Sequence, residues 1–217
     1  MNNRILFIVP HADDEVLGFG GTIAKFVDAG KEVIVTIAQA PNNDRAAQQL
    51  QDSKDAKEVL GYSMQHFLHL SNKTLCNDLH ELIHTVQIHL KEVRPDVIYT
   101  THLSDNHQDH KNLYRAISVA TRPIGFVGTP TVFAGEVISS HDQSFGSERS
   151  QFVPNYYEKL TEDHLARKIN AIERYTTEVR TWPHSRCAEG IKAKAITRGS
   201  ECYSNYAEAF MLLRKIT

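Results

Sequence analysis

Two rhythms of apolar residues alternate along the chain. A continuous apolar run from Ile5 to Val9 gives way to an amphipathic stretch from Leu17 to Val27. Gly30 then offers a helix C-cap before a second run, Glu32 to Ala38. Short apolar runs read as buried strands, and 3.6-residue spacing reads as the helices that cover them. The pattern continues with a helix over Arg45 to Leu60, with Ala46, Leu50, Ala56 and Leu60 near one face and Gly61 ending it. Next come a short strand at His66 to Leu70, a helix over Leu79 to Val93 (Leu79, Ile83, Val86 and Leu90 in phase), a strand at Val97 to Thr100 and a helix over Asn112 to Thr121. Then the order changes. Pro123 to Pro130 is turn-rich, Thr131 to Ala134 and Glu136 to Ile138 read as strands, and Ser139 to Pro154 reads as a surface or lid loop. Leu160 to Thr177 is the last long helix expected, followed by short helices to Thr217.

Strand, helix and strand joined by short connections predict a parallel sheet with right-handed crossovers. The expected fold is α/β, a Rossmann-like open, mostly parallel sheet flanked by helices. Residues 1–217 would form a single domain, since 217 residues suit one full core, and neither an internal repeat nor a linker divides them.

The chemistry gathers where strands hand over to helices. Pro10 ends the first run, and His11 and three consecutive acids, Asp13, Asp14 and Glu15, follow at once. Open α/β sheets place their binding crevice at such carboxyl ends. Adjacent acids in a turn leaving a buried strand are costly unless a cation neutralises them, and imidazole with carboxylate is a donor set that zinc accepts. The same acids would also serve as an N-cap and first-turn charges on the helix dipole. Gly18, Gly20 and Gly21 lie inside the helix rather than in the turn before it, which weakens a dinucleotide reading. A second cluster, His102 to His110, holds three histidines and two aspartates, again between a strand and a helix. Two such clusters on neighbouring parallel strands would meet at one rim of the sheet, which favours a metal centre over two coincidences. His66 and His69 read as partly buried surface residues.

Composition narrows the field. With 24 Lys+Arg against 26 Asp+Glu the chain carries no electrostatic footprint for nucleic acid or a membrane surface, and no apolar run approaches a membrane span. Three cysteines, Cys76, Cys187 and Cys202, lack metal-type spacing and fit a reducing, cytoplasmic setting. The N-terminus runs into the first strand without the features of a signal peptide.

P-H-A-D-D-E (Pro10 to Glu15) with G-x-G-G behind it, then D-x-H-x-D-H (Asp105 to His110), resembles the PIG-L/LmbE family of zinc-dependent N-acetylglucosaminyl de-N-acetylases. A-x-x-x-L-G ending at Gly61, P-D-V-I-Y-T at Pro95 to Thr100 and A-E-A-F at Ala207 to Phe210 add supporting pattern. The resemblance implies His11, Asp14 and His110 as ligands of Zn2+ or Fe2+, and Asp13 as general base toward the attacking water. His107, paired with Asp109, would stabilise the oxyanion or protonate the leaving amine. A carboxylate beside a dication would stay ionised, and a carboxylate-bound histidine would lean toward imidazolium. Asp105 reads as a partner orienting a ligand, His102 as that or a plain loop residue, and Glu15 as a first-turn acid.

The chain departs from the family at three places. Pro10 and Ala12 flank His11 where relatives read Ala-His-Pro. Gln48, Gln49 and Asp52 stand where many relatives carry a substrate-holding Arg, so Arg45 becomes the substitute. Tyr175 stands where relatives tend to carry His. The stretch Arg180-Thr-Trp-Pro-His-Ser-Arg186 reads either as a sugar- or phosphate-contacting lip, with Arg180 and Arg186 as candidate substrate contacts, or as a core edge with solvated arginines. The implied function is metal-dependent removal of acetyl from an N-acetylated amino sugar or conjugate, a small-molecule substrate, by a monomer or homo-oligomer. Cleavage of an amide in a thiol–sugar conjugate and metal-dependent sugar binding without turnover are the alternatives.

Overall fold

The computed structural model describes residues 4–39, 46–71, 75, 77–124, 128–145 and 151–217. The expected Arg45 contact, Cys76 and the loop from Pro41 lie outside them. The strands are β1 (Arg4–Val9), β2 (Glu32–Gln39), β3 (Met64–Leu70), β4 (Val97–Thr101), β5 (Thr131–Gly135), β6 (Tyr156–Leu160) and β7 (Tyr206–Arg214). The helices are α1 (Asp14–Asp28), α2 (Ala46–Leu60), α3 (Leu79–Val93), α4 (Gln108–Ala120), α5 (Glu162–Ile172) and α6 (Ala188–Glu201). They build one sheet of order β3-β2-β1-β4-β5-β7-β6. β1 to β5 run parallel, and β7 lies antiparallel between β5 and β6.

Alternation within β1 explains the two layers. Ile5, Phe7 and Val9 face one core with Val16, Leu17, Phe19 and Ile23 of α1, Leu60 of α2, Ile172 of α5 and Ile191 of α6. Leu6 and Ile8 face the other, with Leu82, Val86 and Leu90 of α3 and Leu113 and Ile117 of α4. A strand apolar on both sides reads as a continuous run, the mark of a parallel strand covered on both faces. Along the first face, Phe7 pairs with Tyr99 and Tyr99 with Phe133 across three neighbouring strands, each pair stacked at 4.9 Å. Such cross-strand aromatic pairs fix register.

Four expectations are corrected. Glu136 to Ile138 is not a strand; β5 ends at Gly135, and the Glu136 carboxylate is gripped by Arg198 (2.6 and 2.7 Å) and Lys194 (3.0 Å). The helix expected over Leu160 to Thr177 is α5, which spans only Glu162–Ile172 and follows a strand, β6. The tail holds the long α6 and the inserted strand β7 rather than short helices alone. α4 begins at Gln108, one turn earlier than its apolar pattern suggests, which moves Asp109 and His110 from a loop into a helix. The glycines of α1 serve packing: a Cβ at Gly20 would meet Lys168 Cγ at 3.0 Å, and one at Gly21 would overlap Leu160.

Candidate metal centre

β1 and β4 end side by side, and the turns that follow bring both sequence clusters together. His11 leaves β1 after Pro10. Asp13 occupies the N-cap position of α1, but its side chain makes no capping hydrogen bond and its φ is 112°. A residue with a Cβ adopts such a φ at a cost of about 1–3 kcal/mol, and persists there only under constraint. Its carbonyl accepts the N–H groups of Val16 and Leu17, so the turn starts the helix through its backbone and leaves the carboxylate without a capping role. On the other side, His107 is the N-cap of α4 and its Nδ1 accepts the Asp109 N–H at 3.2 Å.

Asp14 Oδ2 is the hub. It lies 3.2 Å from both His11 Nδ1 and His110 Nε2, and also accepts the His11 N–H at 3.0 Å. Ring nitrogens of His11, His107 and His110 lie within 4.8 Å of one another. Asp105 holds His110 from behind: its Oδ2 is 3.0 Å from His110 Nδ1 and accepts the Ser140 hydroxyl at 2.9 Å, while Oδ1 accepts the His107 N–H at 2.8 Å. A carboxylate on the far nitrogen of an imidazole fixes its tautomer and aims the other nitrogen forward.

Electrostatics follow from this packing. Burial pushes His11 down, but hydrogen bonds to Asp109 and Asp14 outweigh it and raise the imidazole to about 9. Burial acts the same way on His110, and Asp14 and Asp105 reverse it to about 10. Burial would lift Asp14, yet His110 and His11 hold it well below the usual carboxylate range. Asp13 moves the other way: burial and the adjacent Asp14 raise it well above that range, against the pull of Arg186. Burial lifts Glu15 to about 7. The carboxylates thus raise both histidines against burial, and a site of this charge attracts cations. The residues fit a divalent ion, since imidazole and carboxylate donors converge on one point.

Several expected partners are arranged differently. Asp109 Oδ2 sits 2.9 Å from His11 Nε2 but 3.9 Å from His107 Nδ1, so its carboxylate holds His11 rather than His107. His107 is accordingly not biased toward imidazolium: burial, then His11 and His110, push it below its ordinary value. Arg186 reaches the site, but its Nη1 donates to Asp13 Oδ2 and Glu178 Oε2, both at 3.0 Å, and its Nε donates to Ser139 Oγ at 3.2 Å. Arg180 stays on its own loop, donating to the carbonyls of Thr177 (2.6 Å) and Val179 (3.0 Å). Trp182 is 65% exposed, so it does not pack on the core edge. His102 turns away to Ser104 (2.7 Å) and to Phe152, Tyr114 and His141. The described part of 139–154 is a wall, since Ser139 and Ser140 bind Arg186 and Asp105. Sequence reasoning missed Glu178, Ser139 and Ser140; none carries a motif, and only the fold brings them to the rim.

Comparison with known proteins identifies the family. The family model "PIG-L: GlcNAc-PI de-N-acetylase" matches residues 6–121, more than half of the chain and all of both clusters. The chain is 26% identical over 178 residues to the "Uncharacterized deacetylase YaiS" of Escherichia coli K12, covering 79% of this chain and 89% of the relative. Its fold is similar to N,N'-diacetylchitobiose deacetylase from Pyrococcus horikoshii, with a TM-score of 0.77, 20% identity and coverage of 98% and 84% of the two chains. It is also similar to GalB, the 4-carboxy-2-hydroxymuconate hydratase of Pseudomonas putida KT2440 (TM-score 0.72, 19% identity, 99% and 98% covered), so the fold alone does not choose the reaction. The family match, which spans both strand-to-helix turns, does choose: the chain belongs to the PIG-L family of de-N-acetylases, which are amide hydrolases.

Proposed function

We propose that this hydrolase removes the acetyl group from an N-acetylated amino sugar or its conjugate, with a divalent cation, Zn2+ or Fe2+, held by His11, Asp14 and His110. The observation that supports it is the position of Asp14 Oδ2, 3.2 Å from a nitrogen of each of those histidines. When bound, such an ion lowers the pKa of water and polarises the amide carbonyl. Asp13, adjacent to Asp14 and with no capping duty, takes the proton from the attacking water. His107 is half exposed at the rim, and its Nδ1 accepts the Asp109 N–H, so in the neutral ring the proton sits on Nε2. From there it donates to the oxyanion or the departing amine. The sugar-type substrate comes from the deacetylases among the relatives, one of which acts on diacetylchitobiose.

Two donor sets share His11 and His110, and differ in whether Asp14 or His107 completes the set. Asp14 is buried and already aimed at both partners, whereas His107 uses one nitrogen to cap α4. Asp14→Ala should therefore lose the metal and His107→Ala should keep it while turnover falls. Metal content of the two purified variants, beside acetate release from a panel of N-acetylglucosamine derivatives with and without chelator, tests the reading. Full metal occupancy in Asp14→Ala would remove Asp14 from the ligands. Acetate release that survives chelation would remove the metal, and silence across the panel the sugar.

A further inference from the structure

Behind the turn that carries Asp13 runs a line of buried and half-buried polar side chains with no part in the hydrolysis just described. Glu15 in the first turn of α1 and Tyr175 just beyond α5 are both fully buried. Glu15 divides its two oxygens: Oε2 accepts the Asp13 N–H at 3.0 Å, and Oε1 accepts the Tyr175 hydroxyl. Ser53 of α2 is also hydrogen-bonded to Tyr175. Gln65 of β3 in turn donates to Ser53 Oγ at 2.5 Å and to the Tyr62 hydroxyl at 3.1 Å. A strut of side chains thus joins β3, α2 and the end of α5 to one peptide N–H, that of the residue at positive φ. The side chain of Asp13 does not hold this turn open, and its N–H has the Glu15 carboxylate as its acceptor.

We propose that Tyr175 is a positioning residue which, through Glu15, pins the Asp13 N–H, keeps residue 13 at positive φ and so aims the Asp13 carboxylate into the metal centre. The role rests on Asp13 being the base assigned above. With the Tyr175 hydroxyl gone, a buried carboxylate that has lost its one side-chain donor rotates or draws in water, and its grip on the Asp13 peptide loosens. Misplacing a catalytic group by about 1 Å costs about 10²-fold in rate.

The test compares Tyr175→Phe with Tyr62→Phe, which removes a hydroxyl from the far end of the same line. Each protein is assayed for kcat and KM of acetate release, for metal content, and for hydrogen exchange of the assigned Asp13 amide. Tyr175→Phe should lower kcat by about 10²-fold with KM and metal content unchanged, and should speed exchange at Asp13. Tyr62→Phe should do neither, whatever its effect on Tm. Unchanged kcat or an unchanged Asp13 amide in Tyr175→Phe, or equal losses in both variants, would overturn the proposal. Should Tyr175→Phe fail to fold, Glu15→Ala gives the same readouts, because it removes the acceptor of the Asp13 N–H outright. If the wild type released acetate from no substrate, the functional reading would fail, and exchange at Asp13 would still decide the positioning role.

Discussion

Asp13 and Asp14 are neighbours in sequence with opposite electrostatic fates. Asp14 is surrounded by imidazoles and driven down, whereas Asp13 is buried against it and driven up, with Arg186 as its cationic neighbour. That division suits a ligand beside a base. Asp13→Asn should keep metal content near normal while kcat falls by about 10²–10⁴-fold; an active Asp13→Asn enzyme would take the base role from this residue. His110→Ala removes a buried donor held on both sides by Asp14 and Asp105. The purified variant should bind substoichiometric metal by elemental analysis, and full occupancy would exclude His110 as a ligand. Arg186 was legible as a residue of interest but not by role. Its partner Glu178 lies eight residues away in a segment without periodicity, and nothing in the sequence marks the two as sharing one guanidinium.

At the scale of elements, legibility tracks how plainly each segment buries apolar groups. β1, β2 and α3 could be read directly, because their runs are uninterrupted or in phase. β6 and β7 were hidden by charges that point inward. Glu158 of β6 meets Lys25 at 2.6 Å, and Glu208 of β7 meets Lys168 at 2.6 Å while also accepting the Gly21 and Thr22 N–H groups of α1 at 3.0 and 2.7 Å. An alternating strand whose inward positions are glutamates does not look like one. The start of α4 was obscured for a related reason: its first turn faces the candidate site and carries Asp109 and His110 instead of leucines. The Lys168–Glu208 pair, with both side chains almost wholly buried, belongs to this scale. Lys168→Met should destabilise the fold by about 3–5 kcal/mol, because it strands a buried carboxylate. Chemical denaturation measures this, and a loss below about 1 kcal/mol would show that Glu208 is satisfied by the α1 amides alone.

For the whole molecule, acid is the informative stress. His89 on α3 is buried, with Nε2 2.8 Å from the Thr36 hydroxyl of β2 and its ring 5.5 Å from that of His66 on β3. Burial, then His66, lowers its pKa to about 4. The unfolded imidazole titrates near 6.5, so between these values the unfolded chain binds a proton that the folded chain refuses. Stability should fall as pH drops from about 6.5 to about 4, by up to about 3 kcal/mol, with no further loss from this group below that. His89→Gln should flatten that part of the Tm–pH curve; parallel curves for the two proteins would exclude His89 as the cause. The order of the sheet has a further consequence, for how the chain is made. All five parallel strands and both sequence clusters of the candidate site are synthesised within the first 135 residues or so, yet the edge of β5 stays open until Tyr206–Arg214 arrives to fill it. A nascent chain stalled on the ribosome at residue 205 would carry its chemistry complete and two unpaired strand edges, β5 and β6, and such edges recruit other chains. A chain ended there should be found in aggregates, while one ended after Arg214 should stay in solution.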